Sequence, residues 1–244
     1  MRTWARHLVR TELRLLIGIA AVFALLWGFF VVMGEVREGD TYKLDSSILL
    51  AMRRPGELGV PIGPRWLHET ARDVTALGGF TVLTLVVVLG VLMLVFHRRR
   101  RQAAVLATAV IVGQVAAELA KHLVGRNRPD LVPHLDLVYS SSFPSGHSAL
   151  SPIVYFTLAG ILAAGEPNRA GKSLLLTTAV VLVLAIGVSR VYLGVHWPTD
   201  VLAGWAMGTA VALGATLVLH RLAPHHAAAG ARAEDNPVAP DPPR

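Results

Sequence analysis

The chain has 244 residues, 53% hydrophobic and only 16% charged, with a mean hydropathy of +0.53, too apolar to clothe the faces of a soluble domain. With no cysteine, disulfides and thiolate metal sites are excluded. The net charge of +7 does not indicate a nucleic-acid partner, because the arginines cluster at the ends of apolar segments, where they report membrane topology.

In chain order, a basic start (Arg2, Arg6, Arg10, Arg14) leads into an apolar run over about Leu13–Met33. That run exceeds a signal-peptide core, and Met33-Gly34-Glu35 does not resemble a small-residue cleavage site, so an uncleaved first helix is expected. The connector Glu35–Asp73 mixes seven acids with six bases and carries Pro55, Pro61 and Pro64. It reads as a structured segment outside the bilayer, with an amphipathic helix near Leu44–Arg53 and a turn at Pro55-Gly56. Further spans are expected at about Val74–Phe96, Ala103–Val124, His147–Ala164, Leu174–Val188 and Thr199–His220. Several of them supply the roughly 20 helical residues that a hydrocarbon core requires. The expected fold class is all-α: a polytopic membrane protein with six transmembrane helices in a single domain over residues 1–222, followed by a disordered cytoplasmic Ala/Pro/His tail over 223–244.

With the N-terminus in the cytoplasm, the first arginines, the run Arg98–Arg101, the pair Arg169 and Lys172, and the tail all lie inside, as the positive-inside rule prefers. The connector, the loop Arg126–Ser145 and the loop Arg190–Asp200 then face the extracytoplasmic side of a bacterial-type plasma membrane.

Three short segments concentrate polar residues at that outer edge: Lys121 with Arg128-Pro129, then Pro144-Ser145-Gly146-His147, then Ser189-Arg190 with His196 and Asp200. Lys121, Arg128 and Arg190 supply cations, and a guanidinium grips phosphate oxygens in bidentate fashion. Ser145 is a natural helix N-cap that leaves the amides of Gly146 and His147 at the positive end of a helix, a ready anion site. Ser189 offers a further hydroxyl donor. Asp200, four residues after His196 and within the first turn of a helix opened by Pro198, can reach back to the imidazole. A carboxylate on one ring nitrogen fixes the tautomer and leaves the other free to attack phosphorus. His147, on another helix, is placed to act as acid and then base. With cations and amides meeting the anionic charge, no metal or other cofactor is required.

These segments resemble the three signature motifs of the type 2 phosphatidic acid phosphatase superfamily. All eleven specified positions match in order: lysine, six residues, Arg-Pro; Pro-Ser-Gly-His; Ser-Arg, five residues, His, three residues, Asp. The resemblance implies a membrane lipid phosphatase working through a phosphohistidine, with His196 as nucleophile, Asp200 as its orienting partner and His147 as general acid. It implies phosphate contacts from Lys121, Arg128, Ser145, Gly146 and Arg190. The substrate expected is a lipid phosphate or diphosphate in the bilayer, with polyprenyl diphosphate ranked ahead of phosphatidylglycerol phosphate and phosphatidic acid.

Two other functions fit parts of the pattern. A vanadate-dependent haloperoxidase has a similar oxyanion site, but six membrane helices disfavour it. A lipid-phosphate binding or transport protein would not need an intact His147, His196 and Asp200. Outside the motifs, Glu118 reads as a structural partner of Lys121 or of another helix, Arg126 and His122 as interfacial residues, the tryptophans as an aromatic belt, and Trp197 as a lining of the site mouth.

Overall fold

A computed structural model describes residues 2–136, 138 and 140–222; the tail expected over 223–244 lies outside them. The described residues form helices α1 (Arg2–Glu38), α2 (Tyr42–Ala51), α3 (Arg65–Ala76), α4 (Phe80–Phe96), α5 (Arg100–Val124), α6 (Gly146–Gly165), α7 (Arg169–Tyr192) and α8 (Pro198–Leu222). A two-stranded antiparallel hairpin, β1 (Arg53–Arg54) and β2 (Glu57–Pro61), turns at Pro55-Gly56 between α2 and α3.

By length and composition α1, α5, α6, α7 and α8 can each cross a membrane, and α3 with α4, bent by 46°, can together make a sixth span. The continuous span expected at Val74–Phe96 is thus corrected to two helices broken at Leu77-Gly78-Gly79. The break is tolerated because the backbone oxygen of Leu77 accepts a hydrogen bond from Tyr155 Oη of α6 at 2.8 Å, which restores a partner to a carbonyl outside the helical ladder. Little of the α1 span is buried, and Phe23 and Trp27 stand exposed on it. On a polytopic protein such a surface belongs against lipid.

Behind it, Phe29 of α1 meets Ala117 and Ala120 of α5, Phe143, Ala149 of α6, and Ala203 and Met207 of α8 in one buried cluster. Small residues here allow close helix approach. A Cβ on Gly208 would sit 2.1 Å from the Ala149 carbonyl oxygen, and one on Gly204 would sit 2.9 Å from that of Ser145. Helices α6 and α8 therefore touch backbone to backbone. The Ser145 amide donates to the Asp200 carbonyl at 3.1 Å, so the start of α6 is tied to the start of α8. Between α7 and α8 the chain reverses through Gly194, whose φ of +76° suits glycine at little steric cost. This turn delivers His196 to the same place.

Candidate active site

The three motif segments converge on a cavity of about 290 Å³ at one end of the bundle. Lys121 of α5, Arg128 of the following loop, Gly146 and His147 of α6, Arg190 of α7 and His196 all line it. A larger cavity of about 620 Å³ lies at the other end, against Arg98–Arg101, but it lacks an imidazole backed by a carboxylate. Chemistry rather than size selects the smaller one.

His196 is almost fully buried. Its Nδ1 faces Asp200 Oδ2 at 3.4 Å, and its Nε2 lies 3.1 Å from an Arg128 terminal nitrogen. Arginine has donors only, so Nε2 must be the accepting, unprotonated nitrogen and Nδ1 carries the proton. Burial pushes the His196 pKa down to about 4, against the opposing pull of Asp200 and with the help of Arg128 and Arg190. At neutral pH the ring is uncharged, with a lone pair on Nε2.

The front of the ring is a cationic cradle. Arg128 donates to the carbonyls of Ser140 (2.8 Å) and Val195 (2.6 Å), which hold its plane against His196. Burial and neighbouring Arg190 bring its pKa down to about 10, still cationic at neutral pH. Arg190 donates to Thr75 Oγ1 at 2.8 Å and to Asp136 Oδ2 at 2.6 Å. Lys121 pairs with Glu118 at 3.0 Å, the partner suggested by their spacing. The Ser145 hydroxyl caps α6, accepting from the Ser148 amide at 3.4 Å, and Gly146 and His147 in the first turn line the cavity beside Lys121. His147 packs against the break between α3 and α4, with Gly78 and Gly79 leaving room for its ring.

The back of the ring is saturated. Asp200 is fully buried; its Oδ2 accepts from the Trp197 amide at 2.9 Å and from the Ser142 hydroxyl. Its Oδ1 accepts from Arg126 at 2.7 Å.

Several expectations are corrected. Ser189 is buried in α7, donates to the Ile186 carbonyl at 2.6 Å and does not line the cavity. Ser145 is wholly buried and acts on α6 rather than on the cavity. Arg126 is not an interfacial residue; its side chain is 13% exposed and ion-paired to two buried carboxylates, Asp45 and Asp200. Trp197 does not line the mouth but packs with Leu49, Val132, Val191 and Val201. Asp45, Ser142, Thr75 and Asp136 were not anticipated. Their only local signal is a short polar side chain in an apolar or loop context, which many solvent-facing residues share.

The profile of the PAP2 superfamily matches residues 102–224, half of the chain. The chain belongs to the PAP2 superfamily. It is 35% identical over 184 residues to phosphatidylglycerophosphatase B of Bacillus subtilis, covering 74% of this chain and 85% of that one. It is 36% identical over 149 residues to decaprenylphosphoryl-5-phosphoribose phosphatase of Mycobacterium tuberculosis, covering 58% and 75% respectively. The crystal structure of a transmembrane PAP2-type phosphatidylglycerolphosphate phosphatase from Bacillus subtilis superposes with a TM-score of 0.72 at 26% identity, covering 82% of this chain and 96% of that one. This PAP2 protein is a membrane-bound lipid phosphatase.

Proposed function

We propose that this phosphatase hydrolyses a lipid phosphomonoester through a phosphohistidine on His196, without a metal ion, at the extracytoplasmic face of the membrane. The orientation of His196 carries the proposal. Its Nε2 lone pair accepts from the guanidinium of Arg128, the group best suited to hold a phosphate oxygen; a phosphate that takes over this guanidinium frees the lone pair to attack phosphorus beside it. Arg128, Arg190, Lys121 and the first-turn amides of α6 meet the charge of the phosphoryl oxygens.

Attack by Nε2 forms a P–N bond as the P–O bond to the lipid breaks, and His147 gives its proton to the departing alkoxide. The imidazolium formed at His196 keeps its Nδ1 proton toward Asp200. His147, now neutral, takes a proton from water as the water oxygen bonds to phosphorus. The P–N bond then breaks, its electron pair returns to Nε2, and inorganic phosphate leaves.

Charge around the cavity supports a monoester. Three cations, Lys121, Arg128 and Arg190, stand against two carboxylates, Glu118 and Asp136, which suits a phosphomonoester of about −2 better than a more anionic diphosphate. Together with the likeness to a phosphatidylglycerophosphatase, this moves phosphatidylglycerol phosphate ahead of polyprenyl diphosphate and phosphatidic acid. The cavity lies at the end of α5 away from Arg98–Arg101, so the positive-inside rule favours cytoplasmic termini and an extracytoplasmic site.

Purified protein in nanodiscs should release phosphate from phosphatidylglycerol phosphate faster than from phosphatidic acid or a polyprenyl diphosphate, equally with and without EDTA. Rapid quench into alkaline detergent should trap a phosphoenzyme that is stable to alkali and labile to acid. Failure to release phosphate from every lipid overturns the activity; a requirement for added divalent metal overturns the mechanism. Since the chain has no cysteine, a single cysteine placed at Glu57 should react with an impermeant maleimide on intact spheroplasts, and one at Arg100 should not. The reverse labelling would invert the topology.

A further inference from the structure

Behind Asp200 lies a carboxylate outside all three motif segments. Asp45 sits in the first turn of α2 and is fully buried. Its Oδ2 accepts from Arg126 at 2.6 Å and from Thr199 Oγ1 at 2.7 Å, and its Oδ1 accepts from the Thr199 amide at 2.9 Å. The other terminal nitrogen of Arg126 donates to Asp200 Oδ1 at 2.7 Å and to Thr199 Oγ1 at 2.8 Å. One guanidinium therefore bridges two buried carboxylates, and the second of them faces His196.

We propose that Asp45 and Arg126 are positioning residues for phosphoryl transfer: Asp45 anchors Arg126, and Arg126 holds Asp200 by Oδ1 so that its other oxygen, Oδ2, is aimed at His196 Nδ1. This rests on His196 being the nucleophile. Charge balance gives the pair a reason beyond geometry. Two carboxylates and one guanidinium leave one net negative charge behind the imidazole, and the ring gains one positive charge when Nε2 bonds to phosphorus. Without Asp45, Arg126 would cancel Asp200 and leave that developing charge unsupported. Docking α2 onto α8 does not by itself require buried ions, since apolar side chains would hold the contact without the desolvation penalty. The connector, through Asp45 of α2, thereby carries part of the site's support.

The test uses the full chain in nanodiscs, with steady-state kinetics and orthovanadate binding measured on Asp45→Asn, Arg126→Gln and the double variant. Each single change should lower kcat by about 10- to 100-fold, as loss of an orienting outer partner does elsewhere. KM should move by less than about threefold, because the cationic front is untouched. Vanadate should bind as in the wild type. The double variant should be no slower than the worse single one, since the two residues act as a unit. Asp45→Glu should recover part of the loss. Wild-type kcat in Asp45→Asn, additive losses, or a fall in kcat matched by a fall in vanadate binding would overturn the proposal. If Asp45→Asn does not fold, Asp45→Glu and Arg126→Lys carry the same test, with intermediate kcat and normal vanadate binding expected. His196→Ala separates the layers: turnover retained there defeats the nucleophile assignment, whereas an inactive His196→Ala beside a fully active Asp45→Asn defeats only the positioning role.

Discussion

The two sides of the His196 ring are built on opposite principles. Behind it, Asp200 has both oxygens engaged by the Trp197 amide, Ser142 and Arg126, and the group is sealed from solvent. In front of it, Lys121 and Arg190 are held by Glu118 and Asp136, carboxylates that are themselves 46% and 36% exposed. Buried, fully satisfied networks rigidify, while a carboxylate that reaches solvent has water as an alternative partner and can leave its cation at smaller cost. The back is thus fixed before substrate arrives, and the front can trade a carboxylate for a phosphate. A preorganised back costs no rearrangement at the moment of reaction.

This contrast breaks most completely at the ring itself. His196→Ala should lower kcat by about 10⁶-fold, the scale seen when a nucleophile–base unit loses a member, and abolish the acid-labile phosphoenzyme, while vanadate still binds in front. Asp200→Asn attacks the back alone. An amide can present its NH2 to Nδ1, which drives the ring proton to Nε2 and removes the attacking lone pair. A kcat loss on the order of 10⁴-fold with little change in KM is expected from the wrong tautomer. An Asp200→Asn variant that loses vanadate binding instead would deny the division between the two sides.

Arg128→Gln tests the front and should raise KM as well as lower kcat, by roughly 10- to 100-fold in kcat/KM, the worth of a charge-assisted contact or two. It also has a pH signature. Arg128 helps to depress the His196 pKa, which burial chiefly holds at about 4, and only the neutral ring attacks. Removing the cation should move the acid limb of the kcat/KM profile to higher pH; a limb that moves down or stays would show that Arg128 does not act on His196. The same burial makes a stability prediction. His196 is held neutral below its ordinary value near 6.5. Its contribution to stability is therefore complete above that value and is lost as pH falls from about 6.5 toward 4. Thermal melts across that window should decline, and less so in a His196→Gln variant.

The spans were legible because a bilayer demands long unbroken apolar runs, a one-dimensional property of the chain. The break at Leu77–Gly79 was not, since adjacent glycines inside such a run also serve close helix packing, and only Tyr155 of α6 decides between these roles. The motif residues stood out because cations and histidines are conspicuous beside apolar helices. Asp45 did not, because 81 positions separate it from Arg126 and no local period links the two. Arg126 was misread for the same reason: a guanidinium at a helix end reads as interfacial until its buried partners are known.

The smallest expected effect concerns a serine that the sequence placed in the front of the site. The Ser189 hydroxyl donates to the carbonyl of Ile186 within its own helix, a local contact that competes only weakly with the helical ladder. Ser189→Ala removes that bond but leaves the Ile186 carbonyl its helical partner, so stability should change by no more than about 1 kcal/mol. Because the hydroxyl does not line the cavity, kcat and KM should stay within about twofold of the wild type, the range of a side chain that does not touch substrate. Ser142→Ala is the matched contrast: Ser142 donates to Asp200, and its loss should lower kcat by roughly tenfold with KM unchanged. Should Ser189→Ala prove the more damaging of the two, the front of the site would extend further into α7 than the geometry places it.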